Sequence, residues 1–254
     1  MPFSARWYTL LHTGNPNDIP FYMDACAGAN SVLELGAGAG RITFPLVHMG
    51  LRVTAVDIST HMISALKDIA SRLPENLKSS IDILEADMTE LSLGRCFDRV
   101  IIPYNSLLCL LSHEAVVSCL AQSALHLDKG GLLMFDFYDV PLNAVDDEDD
   151  IDESEEHIAI IEDGGLSAHV YECPISHPDP RRFDVAYRYV IVDEDNREQE
   201  TFSYEIAQRC IYKEEVTSLL ARAGLEMVSM IGDFEEASID DNTQQVVVTA
   251  RKPR

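Results

Sequence analysis

The 254-residue chain reads as an α/β protein, a doubly wound and mostly parallel sheet of seven strands with an antiparallel β insertion after the fifth. Three observations predict this. From Ser31 to Tyr138 short apolar runs alternate with helical patterns, the rhythm of a parallel sheet with crossover helices. Runs such as Val100-Ile101-Ile102 and Leu132-Leu133-Met134-Phe135 are continuously apolar, as strands buried on both faces are. From His157 to Cys210 the pattern becomes alternation broken by polar turns, which suits antiparallel strands with one covered face.

The elements follow in order. Asn15–Ala29 reads as a short helix entered through Pro16 and Pro20. Core strands are expected over Ser31–Leu35, Arg52–Asp57, Ile81–Ala86, Phe97–Pro103 and Gly131–Tyr138. Thr60–Leu73 puts Met62, Ile63, Leu66, Ile69 and Leu73 on one helical face, with Ser59 as its N-cap. His113–Leu127 is similarly amphipathic and is expected to stop at Lys129-Gly130-Gly131. The insertion holds four strand-like segments, His157–Glu162, Ser167–Ile175, Phe183–Val192 and Thr201–Cys210; the third alternates through Val185, Tyr187, Tyr189 and Ile191. A helix over Glu214–Ala223, ended by Gly224, and strands over Glu226–Ile231 and Gln244–Ala250 close the chain. The expected division is a core of residues 1–140 and 211–254, with an acidic linker and β-rich insertion over 141–210.

Charge excludes some functions. Forty-three Asp and Glu against 19 Lys and Arg give a net charge of −24, with no basic stripe, so binding to a nucleic-acid backbone is not expected. No apolar run approaches the ~18 residues of a membrane-spanning helix. Met1 to Tyr22 lacks the apolar core of a signal peptide, so a cytoplasmic location away from membranes is expected. The six cysteines have no CxxC pair and read as reduced thiols rather than disulfides or a zinc site. Asp146 to Glu156 packs nine carboxylates into eleven residues. A self-repelling solvated linker is the plain reading, attraction of a cationic substrate the functional one. The acidity is global, so adaptation to salt also stays open.

The stretch richest in chemistry is Val32-Leu33-Glu34-Leu35-Gly36-Ala37-Gly38-Ala39-Gly40-Arg41. A strand ends, three glycines alternate with alanines and a helix begins, which lets a ligand approach the helix N-terminus without a Cβ in the way. Asp57 closes the next strand twenty-one residues after Gly36, where a carboxylate suits the hydroxyls of a ribose. The dinucleotide fingerprint G-x-G-x-x-G fails, because Arg41 stands at its third glycine. An NAD-dependent oxidoreductase is the runner-up on that account.

What stands instead, Glu34 followed by Gly36-Ala37-Gly38-Ala39-Gly40, resembles the first motif of class I S-adenosylmethionine-dependent methyltransferases, which have a Rossmann-like sheet. Further segments resemble that family in order: Asp57-Ile58, Glu85-Ala86-Asp87-Met88, Phe97–Ile102 leading into Pro103-Tyr104-Asn105-Ser106, and Leu127–Gly131. The resemblance spans about Tyr8–Tyr138 and Tyr212–Lys252. It implies that Gly36, Ala37, Gly38 and Arg41 cradle the methionine end of S-adenosylmethionine, that Asp57 with Ile58 takes the ribose, and that Asp87 with Met88 takes the adenine. Pro103 belongs to the same cofactor set, and Tyr8 and His12 resemble aromatic residues that close over the methionine part.

Family chemistry is an in-line methyl transfer that depends chiefly on positioning. Pro103-Tyr104 stands where catechol-type members carry a metal-binding aspartate, so no metal is expected. The amide or acid of the N/D-P-P-Y turn is also missing, which disfavours nucleic-acid bases. The resemblance therefore implies transfer to a nitrogen or oxygen of a small molecule, with the insertion as a lid. Acidity and the resemblance to glycine and amino-sugar N-methyltransferases favour an amine-bearing substrate. Tyr104, Tyr138 and Arg209 are the expected pocket and catalytic residues. A non-catalytic cofactor-binding protein on the same fold is the alternative, and oligomeric state is not readable.

Overall fold

The computed structural model describes residues 3–139, 154–235, 237–240 and 243–254. Most of the acidic run, Asp146 to Glu153, lies outside the described residues.

Strands β1 (Ser31–Leu35), β2 (Arg52–Asp57), β3 (Ile81–Glu85), β4 (Phe97–Ile102) and β5 (Leu127–Tyr138) are parallel neighbours. Four more, β6 (Glu156–Asp163), β7 (Leu166–Ile175), β8 (Asp184–Asp193) and β9 (Glu198–Ile206), form a separate antiparallel sheet in sequence order. The chain then returns to the first sheet through β10 (Glu226–Gly232) and β11 (Gln245–Arg251). β11 lies antiparallel between β10 and β5, giving the seven-strand order β10-β11-β5-β4-β1-β2-β3. This is the expected doubly wound, mostly parallel sheet with an antiparallel insertion after β5.

Alternate residues of β5 supply both faces. Leu133, Phe135 and Phe137 pack with Val116 and Leu120 of α6 (His113–His126) and with Leu219 and Leu220 of α7 (Val216–Arg222). Leu132 and Met134 pack on the other face with Tyr22 of α2 (Asp18–Ala25) and with Leu46 and Val47 of α3 (Thr43–His48). Each fully buried large apolar side chain contributes about 1.5–3 kcal/mol relative to exposure. α4 (Thr60–Ala70) starts at the expected cap, with Ser59 Oγ accepting from Met62 N, and the short α5 (Glu75–Lys78) follows it.

Three boundaries differ from expectation. α2 starts only after Asn17, whose φ of 64° places it in the left-handed region. Lys129-Gly130-Gly131 lies within β5 and does not end α6: Phe97 pairs with Leu127 and Arg99 with Leu132, so the glycines absorb extra residues in a bulge. The last helix begins as a 3-10 turn, Lys213–Glu215, before α7.

The sequence pattern gave no warning of α1 (Phe3–Leu11). This helix joins the inserted sheet. Trp7 is fully buried against Ala168, Val170, Tyr189 and Ile191, alternate residues on one face of β7 and β8, and Arg6 pairs with Asp163. Among the described residues no helix is long and apolar enough to cross a membrane.

Candidate active site

The C-terminal ends of β1 to β4 open on one side of the sheet, where the strand order reverses between β1 and β4. Open α/β sheets bind ligands at such a switch point. A half-open cavity of about 1220 Å3 lies there, lined from above by residues of α1, β8 and β9.

The floor is the loop after β1. Gly36, Gly38 and Gly40 all have positive φ, at +73°, +56° and +94°. At Gly36 a Cβ would strike Ser106 Oγ at 2.5 Å, so glycine is needed there for space as well as for backbone angle. At Gly38 the corresponding position is open, which leaves the backbone accessible to a ligand. Asp57 accepts from Gly38 N at 2.7 Å and from Ser59 N at 2.8 Å, which ties the tip of β2 to the glycine loop. Burial raises its carboxyl above the usual range, against those amide hydrogen bonds. Glu34 lies buried below the loop and accepts from Thr43 Oγ1 at 2.5 Å; burial pushes it up to about 7. Asp87 accepts from Thr89 N and Oγ1, both at 2.7 Å.

Tyr104 and Asn105 follow β4 in consecutive left-handed conformations, φ 55° and 60°, which is costly for residues with side chains. Asp136, buried on β5, holds this turn. It accepts from Tyr104 N at 2.8 Å, Asn105 N at 3.3 Å and Tyr22 Oη at 2.5 Å, and burial pushes its carboxyl up to about 6. Arg41 reaches back from the glycine loop to Asp18, with contacts of 2.7 and 2.8 Å, and its guanidinium lies 5.1 Å from the Tyr104 ring centre.

The roof is aromatic. Tyr8 on α1 and His12 just after it lie with ring centres 4.2 Å apart, their planes tilted by 39°. His12 lies 5.3 Å from Tyr187 and 6.4 Å from Tyr104. His12 Nε2 shares a 2.9 Å hydrogen bond with Tyr204 Oη, which lies 3.1 Å from Tyr189 Oη. Burial pushes the His12 imidazole down to about 4 and the Tyr8, Tyr187 and Tyr204 phenols up. Near neutral pH the roof is therefore an uncharged imidazole among protonated phenols.

The cavity lining includes Tyr8, Gly36, Ala37, Gly38, Arg41, Asp57, Ile58, Asp87, Met88, Pro103 and Tyr104, and so brings together all the expected cofactor residues and one of the three expected catalytic ones. Tyr138 and Arg209 lie elsewhere, which corrects their expected place in the pocket. Tyr138 is 36% exposed and pairs with Gln245 on β11. Arg209 is held at the base of the lid by Asp179 at 2.8 Å, and its backbone N–H donates to Leu108 O. Arg41 is found at the expected loop, but bound to Asp18. Sequence reasoning missed Tyr187 and Tyr204 as pocket residues and Asp136 as the holder of the turn. A lone carboxylate within the apolar run Leu132–Tyr138 was the available signal for Asp136.

These residues suit S-adenosylmethionine: an open glycine backbone, a carboxylate at the tip of β2, and Arg41 near the loop. Comparison with known proteins agrees. Residues 32–131 match the family profile described as a methyltransferase domain. The chain is 25% identical over 228 residues to a Geobacillus sp. (strain WCH70) protein whose name assigns it to the methyltransferases, covering 89% of this chain and 85% of that one. It is 24% identical to the glycine/sarcosine N-methyltransferase of Aphanothece halophytica, over 98% of this chain and 88% of the relative. The S-adenosylmethionine-bound structure of an amino pentose methyltransferase from Micromonospora echinaspora superposes with a TM-score of 0.71 at 18% identity, covering 99% of this chain and 98% of that one. Residues 32–131 thus form a methyltransferase domain, and the chain has the fold of class I S-adenosylmethionine-dependent methyltransferases.

Proposed function

We propose that the enzyme methylates the nitrogen of a small-molecule amine. The core, residues 1–140 and 211–254, holds the cofactor, and the lid sheet with α1 shapes the acceptor site. S-adenosylmethionine supplies an electrophilic methyl group on a sulfonium, whose positive charge ends on the acceptor. Gly36, Ala37, Gly38 and Arg41 hold its methionine end, Asp57 and Ile58 its ribose, Asp87 and Met88 its adenine, and Pro103 borders it.

The observation that carries this reading is the roof of Tyr8, His12, Tyr104, Tyr187 and Tyr204. Electron-rich ring faces attract a cation by about 0.5–2 kcal/mol each when desolvated, so they favour charge developing on nitrogen. Phenol oxygens and the neutral imidazole orient the amine by hydrogen bonds without taking its proton. Oxygen is the poorer acceptor here for a physical reason. A hydroxyl must give up its proton during transfer, and a useful base titrates near the working pH. His12, pushed down to about 4, is too weak for that. Of the carboxylates near the cavity that burial raises, Asp57 is engaged by the Gly38 and Ser59 amides, Glu34 by Thr43, and Asp136 by Tyr22 and the Tyr104 turn. An amine brings its own lone pair once deprotonated in solution. The names of two of the matched proteins, a glycine/sarcosine N-methyltransferase and an amino pentose methyltransferase, point the same way.

The test is methyl transfer from labelled S-adenosylmethionine to a panel of primary amines and their matched alcohols. Below each amine's own pKa the rate constant kcat/KM should rise about tenfold per pH unit, because only the free base reacts. Faster methylation of the alcohols, or a flat pH profile for the amines, would refute the reading.

A further inference from the structure

The charges around the acceptor site narrow the substrate further. Arg41 is the one Lys or Arg among the described residues that lines the cavity, and Asp18, itself 3% exposed, binds it through both carboxylate oxygens. It stands at the glycine loop, where the proposed function gives it to the carboxylate of the cofactor. The basic side chains of α1, the lid and its base are each committed to a carboxylate of their own: Arg6 to Asp163, Arg181 to Glu215, Arg182 to Asp184, Arg188 to Glu155, Arg209 to Asp179 and Lys213 to Asp139. Arg197 pairs with Asp195 at the far turn of the lid. The residues outside the described ones (1–2, 140–153, 236 and 241–242) include no Lys, Arg or His. Of the two histidines in the lining, His61 belongs to α4, and His12 lies among half-buried aromatic rings. The acceptor side therefore presents π faces, hydroxyls and the exposed Glu205 carboxylate, with no cation to answer an anion.

We propose that the acceptor site selects amines that carry no carboxylate, phosphate or other anionic group. This deepens the N-methylation reading and rests on it for the amine. An anionic group entering the acceptor side would leave water without a counter-charge from the protein, and an unanswered buried charge is among the costliest events in binding. The net charge of −24 would also slow its approach. A cationic or neutral amine meets neither obstacle. The acceptor would then differ in kind from glycine, a carboxylate, although a matched relative is named for acting on it.

The experiment is calorimetric titration of the full-length protein, saturated with S-adenosylhomocysteine, using two pairs of amines. Benzylamine is set against para-aminomethylbenzoate, and ethanolamine against glycine. The uncharged-tail member of each pair should bind at least about tenfold more tightly. The variant Glu205→Arg, which places a cation in the lining, should narrow that ratio and separate charge from size. Equal or tighter binding of the acids by the wild-type protein, or no measurable binding of any of the four, overturns the proposal. Methyl transfer is followed in the same samples. Selective binding of benzylamine and ethanolamine with no methylation would support the charge selection and count against N-methylation, so the two readings fail separately.

Discussion

Asp136→Asn tests whether one buried carboxylate holds the turn that presents Tyr104. The carboxylate accepts from Tyr22 Oη at 2.5 Å, Tyr104 N at 2.8 Å, Asn105 N at 3.3 Å and Gln245 Nε2 at 3.3 Å. An amide offers a single acceptor oxygen, and its NH2 then has to face donors. Each buried donor left unanswered costs about 1–3 kcal/mol, so the variant should lose about 3 kcal/mol. The loss should depend on pH. Burial raises the carboxyl from 3.8 to about 6, so the folded chain holds this proton more tightly than the unfolded chain. The stability gained from that proton is full below the unfolded value and is lost as pH rises through 6. The change amounts to about 3 kcal/mol in all, of which about 2 kcal/mol falls between about pH 4.5 and 7.5. The Asn variant has no such titration. Its deficit against the wild type should therefore be about 2 kcal/mol larger at about pH 4.5 than at about pH 7.5. Urea unfolding at the two pH values reads this from the midpoints and slopes. A deficit that is equal at both, or larger at the higher pH, would refute the reasoning.

Asp57→Ala should weaken S-adenosylhomocysteine binding about 10- to 100-fold, the worth of a charged hydrogen bond plus some loosening of the Gly38 amide it holds; unchanged affinity by calorimetry would contradict its role. Tyr104→Phe should lower turnover more than cofactor affinity, and equal losses in both would place Tyr104 with the cofactor instead. Trp7→Ala should cost about 4 kcal/mol by opening a cavity between α1 and the lid, a fall of about 10 °C in melting temperature for a chain this size. A shift of a degree or two in thermal unfolding would show that α1 is not packed there.

Much of the core was legible because its physics is local in the chain. Continuous apolar strands such as Val100–Ile102, the Ser59 cap and the glycine loop with Asp57 each leave a mark within a few residues. The aromatic roof does not. Tyr187 and Tyr189 were visible as one face of a strand, but their neighbours come from elsewhere: Tyr204 from β9, Trp7 from α1 and His12 from just after it. Nine residues of α1 hold too few apolar positions to declare which surface they cover. Arg209 and Tyr138 misled for a related reason. Each stands beside a segment that forms the site, yet an ion pair with Asp179 and the pairing of β5 with β11 turn them to other tasks.

The central claim is that the methyl group goes to nitrogen. Tyramine, which carries both an amine and a phenol and no anionic group, tests it in one tube. With methyl-labelled S-adenosylmethionine, mass spectrometry and NMR of the product locate the label. The arrangement of a weakly basic His12 among protonated tyrosines predicts N-methyltyramine; a label on the phenolic oxygen would contradict it.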